Sequence, residues 1–178
     1  MVPIKNSQRN PARNWLLDPA RNWQINPARN WQINPARNWQ INPARNWQIN
    51  PARNWQINPA RNWQINPARN WQINPARNWQ INPARNSAID PYRTSKFDGL
   101  YVFSNETNNC EQYIVKVVDT PVVLFFNDAN ELNYFGVEYK GICSIFSLDM
   151  EYIGFMCSNG KNGYNWFNIN CEWICWVV

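Results

Sequence analysis

The sequence predicts an all-β protein in two parts, a solenoid-like repeat tract and a small antiparallel β meander or barrel. Three observations predict this fold class. A unit of eight residues recurs without a gap, the composition changes abruptly near residue 94, and short β-branched and aromatic runs follow, separated by turn residues. We therefore divide the chain into a lead-in over 1–9, an octapeptide tandem-repeat tract over 10–93 and a small β-rich domain over 94–178.

The repeated unit is Asn-Pro-Ala-Arg-Asn-Trp-Gln-Ile. It begins at residues 10, 18, 26, 34, 42, 50, 58, 66, 74 and 82, and a degenerate copy starts at Asp90. An Asn or Asp side chain before proline accepts a hydrogen bond from the backbone two residues on, and proline presets φ for a turn. A proline in every unit also excludes a long helix. The turn-forming residues predicted in this way include Asn26, Pro27, Asn34, Pro35, Asn42 and Pro43.

Two local structures remain open for the rest of each octad, a short strand or a single helical turn. The alternation favours the strand, because Arg, Trp and Ile occupy even positions and would share one face of an extended segment. One octad cannot bury its Trp and Ile alone, whereas stacked octads can. The tract is therefore predicted to form a β-solenoid, with a flexible array of identical short motifs as the alternative.

The charge is divided between the two parts of the chain. Residues 1–93 carry twelve arginines and Lys5 against Asp18 and Asp90, a net charge of +11, and residues 94–178 carry four lysines against ten carboxylates, a net charge of −6. A basic tract beside an acidic domain indicates an anionic partner for the tract or an electrostatic contact between the two.

Arginine and tryptophan at a fixed spacing suit single-stranded nucleic acid, with bases on the rings and phosphates on the guanidinium groups. The candidate interaction residues are Arg29, Trp31, Arg37, Trp39, Arg45, Trp47, Arg53, Trp55, Arg61, Trp63, Arg69 and Trp71. Nucleic acid or another polyanion is the alternative here, and the favoured interpretation places tryptophan in a core and arginine on a solvated rim. On that interpretation the chain is a structural scaffold or protein-interaction module, with the β domain as a cap or specificity element. A self-assembling filament is a third alternative.

The sequence gives no indication of an enzyme, a cofactor or a metal site. It contains no histidine, which removes the commonest general acid/base and metal ligand. The five cysteines lack paired knuckle spacing, and two residues four apart in a strand lie about 13 Å apart, too far to share zinc. Neither a signal peptide nor a transmembrane segment is recognised. We therefore expect reduced thiols and a cytoplasmic protein without a membrane partner.

The C-terminal domain is predicted to be an antiparallel meander. Turn-type clusters such as 105–109 and 158–163 separate its β-branched and aromatic runs. Its aromatic side chains, Trp166, Trp173 and Trp176 among them, are expected to fill a modest core. The predicted strands lie near 100–104, 112–118, 121–127, 133–139, 142–148, 151–157, 164–169 and 172–178.

Overall fold

The computed structural model describes residues 9–90 and 101–178. The first range contains the repeat tract, and the second forms a closed β-barrel. The predicted boundary between residues 93 and 94, and the degenerate copy after Asp90, lie outside the described residues, as does most of the lead-in over 1–9.

The barrel has eight antiparallel strands in sequence order, and β8 pairs with β1 to close the ring. This confirms the predicted meander or barrel. Each predicted strand overlaps an observed one. The prediction succeeds because runs of β-branched and aromatic residues are typical of strands packed on at least one face. The strands are β1 (Tyr101–Ser104), β2 (Cys110–Lys116), β3 (Val122–Phe126), β4 (Leu132–Tyr139), β5 (Ile142–Ser147), β6 (Tyr152–Ser158), β7 (Tyr164–Asn168) and β8 (Trp173–Val177).

Contacts between opposite strands identify the inside of the barrel. Phe125 on β3 lies 5.4 Å from Trp166 on β7, centroid to centroid, although these strands are four places apart in the ring. Tyr134 on β4 meets the same indole edge-on at 5.8 Å. Side chains on the same face, such as Val102 and Met156, belong to this cluster. This set therefore fills the barrel interior, as expected for a barrel of this strand number.

The opposite face of the strands points outward and is nevertheless buried. Its aromatic pairs join neighbouring strands, as in Phe103 with Trp176 at 4.6 Å and Phe155 with Phe167 at 5.5 Å. Every residue of the short strand β3 is buried. A sheet that is apolar on both faces needs a second layer outside it. The repeat tract provides that layer.

Over residues 10–89, which the structure describes, each octad consists of two turns and contains no strand. In the first turn, the Asn26 carbonyl oxygen accepts hydrogen bonds from the backbone N–H groups of Arg29 and Asn30. In the second, the Asn30 side chain accepts from the N–H of Gln32 and caps a 3₁₀ turn. The 3₁₀ turns are Trp15–Leu17, Trp23–Ile25, Trp31–Ile33, Trp39–Ile41, Trp47–Ile49, Trp55–Ile57, Trp63–Ile65, Trp71–Ile73 and Trp79–Ile81.

The predicted β-solenoid is therefore wrong. The physical reason is the second asparagine of the octad, because its side chain accepts the hydrogen bond of a residue two positions on and closes a turn. The strand interpretation assumed an extended segment between successive prolines. In a turn, alternate residues no longer share a face, so the predicted grouping of Arg, Trp and Ile is also wrong.

The asparagines also join each octad to the one before it. The Nδ2 group of Asn30 donates to the carbonyl oxygen of Gln24, and that of Asn34 donates to the carbonyl oxygen of Pro27. The same pattern, with occasional omissions, recurs along the tract. The tract is thus a continuous series of octads in which hydrogen bonds join neighbouring units.

The isoleucines that end the octads from 26 to 81 pack against the outer face of the barrel. Ile49, Ile57, Ile65 and Ile73 share one hydrophobic cluster with outward residues such as Leu124. Ile41 packs with outward residues of β5, β6 and β7. The prolines over 11–75 are buried as well. The outer face of the barrel and the inner face of the tract therefore form one core.

Successive contacts show the direction of the tract. The carbonyl oxygen of Leu17 accepts a hydrogen bond of 3.1 Å from Asn165 on β7. Ile41 lies on β5 to β7, and the turn Trp47–Ile49 contacts β4. Farther along, Asn82 borders residues of β1 and β2. The tract follows the outside of the barrel in the reverse of strand order.

Candidate functional site: the arginine–tryptophan band

The outward surface of the tract is a band of alternating arginine and tryptophan side chains, which we call the Arg–Trp band. Its nine tryptophans are each 56–60% exposed. The near-equal exposure reflects the identical backbone of each octad. The arginines between them are exposed too. The band is formed by Arg13, Trp15, Arg21, Trp23, Arg29, Trp31, Arg37, Trp39, Arg45, Trp47, Arg53, Trp55, Arg61, Trp63, Arg69, Trp71, Arg77, Trp79 and Arg85.

All twelve candidate residues predicted from the sequence, from Arg29 to Trp71, lie on this band. The predicted turn residues lie beneath it. Asn26, Asn34 and Asn42 each accept a hydrogen bond of 2.9 Å from the N–H group two residues on, and the following prolines are buried. The interpretation that placed tryptophan in a core is wrong, because Ile and Pro supply the buried face of the tract.

Most of the arginines in the band have no acidic partner. Within residues 9–90 and 101–178, the ion pair present joins Arg21 Nε to the Asp18 carboxylate at 3.3 Å. Within the same ranges the cation–ring contact is made by Lys140 on Tyr139, and the arginines make none with the indoles. Most guanidinium groups of the band are therefore without an ion pair in the described ranges, and its indole side chains are more than half exposed.

The barrel contributes to the band at the turn between β4 and β5. There the Lys140 Nζ donates a hydrogen bond of 3.0 Å to the Gln40 side-chain oxygen and lies 5.6 Å from the centre of the Tyr139 ring. A groove of about 310 Å³ lies at this point. It is lined by Trp39, Gln40, Arg45, Asn46, Trp47, Gln48, Tyr139 and Lys140.

Lys140, Tyr139 and Gln40 were not among the residues predicted from the sequence. Lys140 and Gln40 are one hundred residues apart in the chain. The adjoining Gly141 has φ +77°, which marks a tight hairpin turn. That signal places Lys140 at an exposed turn, but it carries no information on which octad the turn meets.

The cysteines do not form a reactive centre. All five are free thiols. Burial raises the pKa of Cys110, Cys157 and Cys175 to about 12, and it raises the pKa of Cys143 as well. Burial also raises the pKa of Cys171, an effect that nearby Arg37 opposes. Since the thiolate is the reactive form, these thiols are poor nucleophiles at neutral pH.

Comparisons of the chain with protein-family models, with curated proteins and with solved structures gave no match. Across the described ranges, the structure contains no helix with the length and apolar character needed to cross a membrane. The chemistry of the Arg–Trp band is therefore the basis for a functional proposal.

Proposed function

We propose that this protein is a non-enzymatic interaction module that binds single-stranded nucleic acid along the Arg–Trp band. The observation that carries the proposal is the regular exposure of nine indole rings between arginines of which, among the described residues, Arg21 alone forms an ion pair. Exposed tryptophan costs free energy in water, and a surface that repeats this cost in every octad is typical of a binding surface.

The arginines favour a phosphate polymer. A guanidinium group is planar and offers several donors, which match the oxygens of a phosphate. Like-charged arginines along the band also repel one another, and a bound polyanion relieves that repulsion. Binding should therefore weaken as salt rises, by about 0.7 in log affinity per log salt for each phosphate contacted on a single strand.

The tryptophans favour a polymer with bases over other polyanions. A base stacked on an aromatic side chain contributes about 1–3 kcal/mol, and every base has a ring face to offer. Double-stranded DNA hides these faces in its own stack. It also has a persistence length of about 50 nm, so it resists bending around a small barrel. A single strand has neither restriction.

The barrel acts in this proposal as a rigid scaffold for the band. The buried isoleucines hold most octads on the outer face of the barrel, so the backbone that carries the indoles is in place before the ligand arrives. Fixed contact groups reduce the entropy cost of binding. Because the central octads are identical, each presents the same groups to the strand. We therefore expect binding with little dependence on base sequence.

The test compares two ligands with the same phosphate backbone. A labelled oligothymidylate and an abasic oligonucleotide of equal length are titrated with the full chain, and fluorescence polarisation is recorded at several salt concentrations. We expect salt-sensitive binding of both, with the oligothymidylate bound at least about fivefold more tightly, the effect of one stacked base. Quenching of tryptophan emission should accompany that binding.

Two variants separate the contributions of charge and ring. Arg53→Gln should weaken the binding of both oligonucleotides, and Trp55→Leu should weaken that of the oligothymidylate alone. Val118→Ala, which trims an exposed apolar side chain on the barrel, is the matched control and should change neither affinity. Absence of binding to both oligonucleotides would refute the proposal. So would a concentration-dependent rise in molar mass that Trp55→Leu abolishes, since the band would then serve self-association.

A further inference from the structure

We propose that the groove beside the β4–β5 turn is the anchoring nucleotide subsite of the band, a role that rests on the proposed function. One base would lie on Trp39 or Trp47, and its phosphate would lie between Arg45 and Lys140. The octads on either side would hold the rest of the strand less tightly. The groove is distinct because the barrel supplies a cation and an aromatic ring there.

The size of the groove suits a single nucleotide. Its volume of about 310 Å³ is at the lower end of the range of small-ligand sites. Two successive indoles, 60% and 58% exposed, border it together with the Tyr139 ring. These rings provide aromatic surface on which one base can stack, whichever base it is.

The charge of the groove fits a phosphate. Arg45 belongs to the tract and Lys140 to the barrel, and neither forms an ion pair within the part of the chain that the structure describes. Their two cationic groups come from elements far apart in sequence, so their meeting depends on the packing of the tract. A phosphate placed between them would receive charge-assisted hydrogen bonds from both.

Gln40, beside the groove, shows that the octad over 34–41 has different surroundings from its copies. Gln40 is half-buried, whereas the corresponding glutamines at 24, 32, 48, 56, 64, 72 and 80 are exposed. Its side-chain oxygen accepts the hydrogen bond of Lys140 at 3.0 Å and holds that ammonium group beside the groove. The sequence of the octad is the same elsewhere, so the difference lies in what the barrel places against it.

The identical octads provide the matched control for a test. The double variant Trp39→Leu/Trp47→Leu is compared with Trp63→Leu/Trp71→Leu, in which the same residues are changed in octads with the same sequence. The ligand is a short oligothymidylate, because a long one would contact many octads at once. We expect the first double variant to lose at least about fivefold more affinity than the second, the effect of one stacked base.

A second pair of variants tests the contribution of the Lys140 ammonium group. Lys140→Gln should weaken binding of the oligothymidylate. It should also reduce the steepness of the plot of log affinity against log salt concentration (the salt slope) by about 0.7, the contribution of one phosphate contact. Lys116→Gln removes an exposed lysine from the end of β2 and should leave both unchanged. Circular dichroism and thermal melting of each variant confirm that it is folded.

Equal losses from the two tryptophan pairs, with binding otherwise intact, would overturn the anchoring role and leave the proposed function standing. An unchanged salt slope in Lys140→Gln would also overturn it. Failure of the unsubstituted chain to bind any oligonucleotide would instead refute the proposed function itself. The outcomes are therefore distinguishable.

Discussion

The side chain of Asn58 joins two octads, because its Nδ2 group donates a hydrogen bond of 2.9 Å to the carbonyl oxygen of Pro51. Its Oδ1 atom meanwhile accepts from the N–H of Ala60 at 2.9 Å. The oxygen therefore closes the turn within one octad, and the nitrogen binds the preceding octad. Aspartate at position 18 keeps the first function, since Oδ1 of Asp18 accepts from the N–H of Ala20. A carboxylate cannot perform the second.

Replacement of Asn58 by aspartate should separate the two functions. Asn58→Asp keeps the turn but leaves the carbonyl of Pro51 without its donor, at a cost of about 1–3 kcal/mol in the free energy of unfolding. Chemical denaturation measures the change. Asn66→Asp is the control, because within the described tract Asn66 keeps the turn to Ala68 without a corresponding bond to Pro59. Equal destabilisation by both variants would contradict the role of the inter-octad bond.

Isoleucine and tryptophan of the same octad should differ sharply in their contribution to stability. Ile65 is fully buried against the barrel, whereas Trp63 is 59% exposed. Ile65→Ala should lower the free energy of unfolding by about 2–5 kcal/mol, through lost burial and the cavity left behind. Trp63→Ala should change it by about 0.5 kcal/mol or less, as is usual for surface substitutions. Thermal or urea unfolding gives the comparison, and a reversed order would contradict the observed packing of the tract.

The packing of the barrel interior should require a glycine at position 136. A Cβ atom there would lie 2.8 Å from Cγ2 of Val123 and closer still to Sγ of Cys143. Overpacking of this kind costs about 1–3 kcal/mol, so Gly136→Ala should destabilise the chain by that amount. Adding Cys143→Ala removes the nearer atom and should recover part of the loss. A double-mutant cycle by urea unfolding measures the coupling, and strict additivity would argue against this contact.

Stability should fall as the pH rises from about 9 to 12. Burial raises the pKa of Cys110, Cys157 and Cys175 from about 9 to about 12 in the folded protein. In that window the unfolded chain releases these protons and the folded chain keeps them, so alkaline pH favours unfolding. Urea unfolding at several pH values tests this. Cys157→Ala removes one such thiol and should make the decline shallower, and a decline of unchanged steepness would count against the thiols as its cause.

The barrel could be predicted from the sequence because each strand carries its own signal. In β2, residues 112–116 alternate between the two faces. The cluster at 105–109 begins with a turn as predicted, whereas the cluster predicted at 158–163 starts inside β6, which ends at Ser158, and continues as bends before β7. The Asx-Pro turn was predictable for the same reason, since its hydrogen bonds join residues close in sequence. Local chemistry determines these elements, and a single sequence contains it.

The outward direction of the tryptophans could not be derived from the octad alone. Whether Trp or Ile is buried depends on the second turn and on the surface that the tract meets, and that surface is distant in sequence. One signal was available in β3, where Val122–Phe126 is an unbroken apolar run. Such a run is typical of a strand covered on both faces, and it indicates that another layer lies outside the barrel. The contact of Lys140 with the band has no local signal of any kind.

The closed ring of strands also has a consequence for changes in the number of repeats. Identical tandem units in a gene are prone to gain or lose whole copies during replication, and each such event leaves every remaining octad with an intact pair of turns. The perimeter of the barrel is fixed by its eight strands and does not change with copy number. An allele that is one unit short would uncover part of the outer strands, and one that is a unit longer would carry an octad without a strand beneath it. The eight strands of the barrel therefore limit how many octads can pack against it.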